Sequence, residues 1–327
     1  MGKDYDANAF KIFGDGFSML ALKDKRVAIL MATYQGECFI HDQLSSIFSQ
    51  SFKNWDLYIS DDNSSDKTID VIKSFSLETG VPVNICSGPC KGFVSNFMSL
   101  LSKDKIESDY FAFSDQDDVW HNNKLERAIN WLDKIPTSKP ALYCTRTHLV
   151  DINCKSIGYS PLFKKKPSFH NALIQSIGGG NTMVINKAAR DLIVQAGNVD
   201  VISHDWWIYI LISGAGGEVF HDIEPTMDYR QHPSNIIGSN LGIKAKFIRL
   251  TKIFEGQYKH WNELHIIALE KNIDLLSPDN RRKLVLFKKI HSSSFFERMV
   301  AYFRLRLYRQ SRIDDLGIFV SAIFNKL

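Results

Sequence analysis

The sequence predicts an α/β fold built on a mostly parallel sheet with flanking helices, followed by a helical C-terminal extension. Three observations carry this. From residue 26 short apolar runs alternate with segments of helical spacing. The first run is apolar without interruption, as a strand covered on both faces requires. From about Leu241 onward the pattern is mainly helical. A βαβα order of this kind lays helices on both faces of a parallel sheet.

Taken in order, Val27 to Ala32 is the first buried strand, and Ile40, Leu44, Ile47 and Phe48 then recur at helical spacing. Trp55 to Ser60 is the second strand, and Ser65 is the expected N-cap of the helix after it. Val83 to Cys86 and Tyr110 to Phe113 are further strands, with helices near 93–101 and 123–134. The first 120 residues thus have the pattern of a nucleotide-binding half. Beyond Leu142 the strands shorten, and residues 160–180, rich in Lys, Ser, Gly and Pro, are expected to loop over a site. The chain divides into an N-terminal extension (1–25), a catalytic domain (26–240) and a helical, basic region (241–327).

At 327 residues, 44% hydrophobic and 23% charged, the composition is that of a globular protein able to bury a sizeable core. Five cysteines form an odd, sparse set, which points to a reducing compartment. Cys86 and Cys90 have a spacing that half a zinc site tolerates, with His260 and His265 far downstream; the alternative is two small residues at a turn. Phe17 to Leu22 is too short for a signal core, and the apolar stretch from Trp206 breaks at Gly214, short of the roughly 20 residues that span a bilayer. A cytoplasmic protein is expected. Residues 281–327 hold 11 Lys and Arg against 3 Asp and Glu, while the other 280 residues hold 29 against 33. A basic tail on an acidic body implies an anionic partner for the tail only, and no nucleic acid is expected.

In open α/β sheets ligands bind beyond the carboxyl ends of the strands. The second strand and the one near residue 112 end in Asp61, Asp62, Asp66, Asp115, Asp117 and Asp118. Such carboxylates, brought together, repel one another without a cation or a donor-rich ligand. No G-x-G-x-x-G follows the first strand and no G-x-x-x-x-G-K-[ST] occurs, which argues against a dinucleotide dehydrogenase or P-loop NTPase. The chain offers D-x-D at Asp115-Gln116-Asp117 instead. Oxygen ligands suit Mg²⁺ or Mn²⁺ better than zinc, and such an ion can bridge a diphosphate.

Three segments, Ala28-Ile-Leu-Met-Ala-Thr-Tyr34, Tyr58-Ile-Ser-Asp-Asp-Asn-Ser-Ser-Asp66 and Phe113-Ser-Asp-Gln-Asp-Asp-Val-Trp120, resemble the GT-A-fold family 2 glycosyltransferases. His204-Asp205-Trp206-Trp207 and Asp228-Tyr-Arg-Gln-His232 resemble the rhamnosyltransferase-like branch that builds bacterial surface polysaccharides. The likeness spans roughly 26–240. It implies a nucleotide-binding set of Thr33, Tyr34, Glu37, Asp61, Asp62, Lys91 and Asp115. Tyr34 would line the base pocket and Asp62 would accept the base N3–H. Uracil and thymine donate at N3 and a carboxylate only accepts, so UDP and dTDP both fit. Asp61 would orient the ribose or cap the next helix, Lys91 would meet the diphosphate, and Asp115 would face the ribose or metal waters. Asp117 would bind the metal directly, with His232 as a further metal or diphosphate ligand. Asp118 would cap the following helix. The family often has Thr or Ser where this chain has Ala32.

Asp205 would be the catalytic base, since a sugar hydroxyl is a poor nucleophile without a carboxylate in reach. Trp206 and Trp207 would dry the site, with Trp206 stacking on a sugar; Gly180 and Asn181 would contact donor sugar or acceptor. The resulting expectation is a metal-dependent (Mn²⁺ or Mg²⁺), inverting transferase. It would move a sugar, rhamnose among the possibilities, from a UDP- or dTDP-sugar to a hydroxyl of a polysaccharide or lipid-linked glycan. A sugar-nucleotide- or glycan-binding protein without turnover is the alternative, opposed by the presence of both Asp117 and Asp205. A nucleotidyltransferase would need a phosphate loop where this chain has Gln35-Gly36-Glu37. The C-terminal region would lie on an anionic membrane surface, on the cytoplasmic side. Phe296, Met299, Val300, Phe303 and Leu307 form an apolar stripe with Arg298, Arg304, Arg306 and Arg309 interspersed; packing of that stripe on the catalytic domain is the other outcome.

Overall fold

The structure, a computed structural model, describes residues 24–232, 257–292 and 294–327. Nearly all of the N-terminal extension, and the division expected near residue 240, lie outside the described residues. The strands are β1 (Val27–Thr33), β2 (Trp55–Asp61), β3 (Val83–Ser87), β4 (Tyr110–Ser114), β5 (Val119–Trp120), β6 (Ala141–Thr145), β7 (His148–Val150), β8 (Ser156–Tyr159), β9 (Val184–Asn186), β10 (Glu218–Asp222) and β11 (Met227–Arg230). Seven form one sheet in the order β10-β6-β9-β4-β1-β2-β3, and β5-β11-β7-β8 form a second. The large sheet is parallel except for β9, which runs antiparallel to both β4 and β6.

The helices are α1 (Ile40–Phe48), α2 (Thr68–Thr79), α3 (Phe93–Leu101), α4 (Lys124–Leu132), α5 (Phe169–Ala172), α6 (Lys187–Ala196), α7 (His204–Gly214), α8 (Gln257–Lys271), α9 (Pro278–Ser292), α10 (Phe295–Leu305) and α11 (Arg312–Ile323). Alternate residues of β1 feed two cores, as the pleat dictates. Ala28 and Leu30 pack with α3, α6, α7 and the C-terminal helices, while Val27, Ile29 and Met31 pack with α1, α4 and the inner face of α2. Every residue of α7 is buried, because it lies between the sheet and the C-terminal helices. The apolar stretch from Trp206 is therefore a core helix. Among the described residues no helix is long and apolar enough to cross a membrane.

Two expected caps differ. α2 begins at Thr68, and Asp66 Oδ1, not Ser65, accepts the Thr68 N–H at 3.0 Å. The Gln35 side chain holds Ser65 instead, donating from Nε2 to its hydroxyl at 2.9 Å. Asp118 does not cap α4, whose flanking residue is Asn123; it is fully buried and accepts from Asn181 Nδ2 at 2.7 Å.

The register fixes the site. Thr33 pairs with Asp61 across β1 and β2, and Met31 pairs with Ser114 across β1 and β4. The carboxyl ends of the three strands thus stand side by side, and the loops leaving them share one edge.

Candidate active site

At that edge opens a cleft of about 1270 Å³. Gln116 joins its two halves: Tyr34 N donates to Gln116 Oε1 at 2.9 Å and Gln116 Nε2 donates to Tyr34 O at 2.8 Å. The middle residue of D-x-D, unassigned in the sequence, is thus the tie between β1 and β4. A Cβ at Gly36 would lie 2.3 Å from Gln116 Oε1, so a larger residue there would have to displace this tie.

At the β2 end the two neighbouring aspartates part ways. Asp61 points inward, accepting from Thr33 Oγ1 at 2.7 Å, Ser64 N at 2.8 Å and Ser64 Oγ at 2.6 Å. Asp62 lines the cleft with Thr33 and Tyr34, held by Cys90 N at 3.0 Å. Glu37 is not in the cleft wall: its Oε2 accepts Lys67 N at 2.8 Å and its own N–H donates to Asp66 at 3.0 Å, tying the β1 loop to the start of α2. Lys91 is exposed and likewise outside the wall, although Cys90 and Gly92 are in it.

Asp115 and Asp117 face the cleft, and Asp117 Oδ2 lies 2.8 Å from His232 Nε2. Arg230 Nε donates to the Asp117 carbonyl at 3.1 Å and so fixes that turn. Carboxylate oxygens of Asp115, Asp117 and Asp118 come within 4.8 Å of one another. Burial, then repulsion from Asp117 and Asp205, pushes the Asp115 carboxyl up to about 8, against the pull of Lys124. Burial, then repulsion from Asp117 and Asp115, raises Asp118 well above the usual range. Crowded oxygen ligands that hold a proton so tightly are a fitting donor set for a hard divalent cation.

Below this cluster lies a residue that sequence reasoning missed. Lys124 is 1% exposed, donates from Nζ to Asn181 O at 2.8 Å and sits 4.7 Å over the Trp120 ring. Burial pulls its ammonium down to about 7, with Asp118 and Asp115 resisting. Lys124, Asp118 and Asn181 form a clamp that holds the loop of Gly178–Asn181 against the aspartates. The signal was present: Lys124 shares the buried face of α4 with Leu125, Ala128, Ile129 and Leu132.

Across the cleft Asp205 lies in the first turn of α7, where the helix dipole favours a carboxylate. Ser203 Oγ and Trp206 N (2.6 Å) both donate to its Oδ1. Trp206 lines the cleft and anchors through Nε1 to Ala172 O at 2.7 Å, whereas Trp207 is wholly core. Gly180 and Asn181 line the cleft too, and a Cβ at Gly180 would stand 2.2 Å from His204 Nε2. Asp228 is outside the wall, accepting from His121 Nε2 at 2.9 Å and His148 Nδ1 at 2.8 Å. Burial alone would raise its carboxyl, but these two histidines outweigh that and hold it below the usual range.

A mostly parallel, helix-flanked sheet with a D-x-D turn and a carboxylate facing it across one cleft is the GT-A arrangement of a glycosyltransferase. The sequence model for "Glycosyl transferase family 2" matches residues 28–192, and the chain belongs to that family. It is similar to the dTDP-rhamnosyl transferase RfbG of Shigella flexneri, at 32% identity over 70% of this chain and 81% of that one. It is also similar to the UDP-Glc:alpha-D-GlcNAc-diphosphoundecaprenol beta-1,3-glucosyltransferase WfgD of Escherichia coli, at 32% identity over 35% of this chain and 43% of that one. Among solved structures, S. aureus TarS 1-349 aligns with a TM-score of 0.52 over 92% of this chain and 80% of that one, at 13% identity. That likeness speaks for the fold alone.

Proposed function

We propose that the protein is a metal-dependent, inverting glycosyltransferase that moves a sugar from a UDP- or dTDP-sugar to a hydroxyl of a polysaccharide or lipid-linked glycan. One observation carries the metal dependence. Among the described residues the cleft wall holds Asp62, Asp115, Asp117 and Asp205 but no Lys or Arg. A nucleotide diphosphate entering such a cleft needs a cation to offset the repulsion.

Asp115, Asp117 and His232 would hold Mn²⁺ or Mg²⁺, which when bound stabilises the diphosphate as a leaving group. Asp62 accepts the N3–H of uracil or thymine, with Tyr34 at the rim of the base pocket. Asp205 takes the proton of the attacking hydroxyl. Both of its hydrogen bonds end on Oδ1, which leaves Oδ2 for that proton. Direct attack needs no covalent intermediate and inverts the anomeric centre. Trp206, Gly180 and Asn181 supply the wall against which sugar and acceptor lie. The dTDP-rhamnosyl transferase likeness supports dTDP-rhamnose as a donor, and the diphosphoundecaprenol named for WfgD supports a lipid-linked acceptor. All five cysteines are free thiols, in keeping with a cytoplasmic site of action.

A screen of UDP- and dTDP-sugars for release of nucleotide diphosphate tests this reading. Release with one donor class, dependent on Mn²⁺ or Mg²⁺ and faster with a glycan acceptor, is expected. No release from any donor, with or without metal, would overturn it.

A further inference from the structure

The C-terminal helices carry a dense set of exposed apolar side chains. On α10, Phe296, Val300 and Phe303 are 80%, 51% and 63% exposed, and their spacing of four and three residues puts them on one face. The opposite face is buried through Ala301 and Leu305, and Arg298 turns inward to donate to the carbonyls of Ala322 (2.7 Å) and Ile323 (3.2 Å). The apolar stripe legible in the sequence therefore divides: Leu307 packs inside, while the phenylalanines face out. α11 extends the outer face with Leu316 (62% exposed), and its Phe319 meets the Phe303 ring at 6.0 Å.

The surroundings are basic. Arg304, Arg306 and Arg312 are exposed, as are Lys164 and Lys166 on the neighbouring loop. The acids of α11 are engaged internally: Asp315 accepts from Lys165 Nζ at 2.6 Å and Arg309 N at 2.5 Å, and Asp314 accepts from Ser311 Oγ at 2.7 Å. This face is also joined to the cleft. Lys165 and Gln310 exchange hydrogen bonds of 2.8 and 2.9 Å, and Tyr308 pairs with Ser168 at 2.7 Å. The loop so pinned places Pro161 and Phe163 in the cleft wall, with Leu162 exposed between them.

We propose that the outer face of α10 and α11 docks on an anionic membrane surface, with loop 160–168 holding the mouth of the cleft at the lipid interface. The rings enter the interface and the arginines meet lipid phosphates. Docking is independent of the donor reading; that its purpose is to reach a lipid-linked acceptor rests on that reading.

Deleting α10 and α11 would strip Ala301, Leu305, Ile318 and Ala322 from the core, so the test uses the full chain with point changes. Wild type, Phe296→Ser/Phe303→Ser and Arg304→Gln/Arg312→Gln are co-sedimented with phosphatidylcholine vesicles, with and without phosphatidylglycerol, across a salt series. Wild type is expected to partition onto anionic vesicles and to be released by salt. The phenylalanine pair should weaken partitioning roughly tenfold or more, and the arginine pair about fivefold per residue at low salt. Melting temperature and UDP or dTDP binding should stay unchanged in both. Should the phenylalanine variant fail to fold, the arginine variant decides. Equal partitioning of all three, or binding indifferent to anionic lipid, would overturn the proposal. So would a wild-type dimer lost in the phenylalanine pair, which would assign the face to a second copy of the chain.

Discussion

Asp205 and Asp228 show how placement separates two carboxylates of the same chemistry. Asp228 is spoken for by two histidines, whereas Asp205 opens into the cleft with its hydrogen bonds on one oxygen. Asp205→Asn is expected to keep donor binding and to lower turnover by roughly 10²–10⁴-fold, the usual scale for a general base. Rapid transfer by that variant would place the base elsewhere. Lys124 makes a different case. Its spacing with Ala128 marks a buried position, but nothing in the sequence announces the carbonyl of Asn181 as its partner. Lys124→Met leaves the buried Asn181 carbonyl without its donor and should destabilise the protein by about 1–3 kcal/mol. The double variant Asp118→Leu/Lys124→Met should not recover that stability, because the carbonyl and the amide of the buried Asn181 then both lack partners. Turnover should stay low in the double variant, since the wall at Asn181 has lost its clamp. Chemical denaturation alongside kcat checks this, and recovery of both would reduce the clamp to a packing role.

At the scale of elements, long apolar runs were legible and short ones were not. β1 and β4 are buried on both faces, so unbroken hydrophobicity marked them. β9 has three residues and inserts antiparallel between β4 and β6, too short for any periodicity to register. The second sheet, built from strands of two to four residues, was hidden for the same reason. The loop after Ile177 was read as a site element from its glycines, and the geometry gives Gly180 a specific reason. Its Cα faces His204, itself stacked on Phe97 at 4.4 Å and only 4% exposed, so neither partner has room to yield. Gly180→Ala is expected to cost about 1–3 kcal/mol through overpacking. It should also lower kcat, because His204 adjoins Asp205. Unchanged melting temperature and turnover would mean that the loop has slack.

For the molecule as a whole, the acidic cleft couples stability to pH and metal. Asp115 ordinarily titrates near 3.8 and is raised to about 8 in the fold. The folded state therefore holds the extra proton, and this group's contribution is fully present below pH 3.8 and is lost as pH rises through 8. A divalent ion bound there takes the place of the proton. The metal-free protein should lose melting temperature between pH 6 and 8, and the increment from Mn²⁺ should be larger at pH 8. Thermal scans at the two pH values check this, and an increment that does not grow would place the ion away from Asp115.

On the proposed reading, a cation held at Asp117 admits the nucleotide diphosphate to this cleft. Calorimetry of UDP and dTDP binding to the full chain and to Asp117→Ala, each with and without Mn²⁺, tests it most directly. In the native chain Mn²⁺ should tighten binding by roughly tenfold or more, about 1.4 kcal/mol, and in Asp117→Ala it should make no difference. Equal tightening in both proteins, or none in the native chain, would contradict the claim.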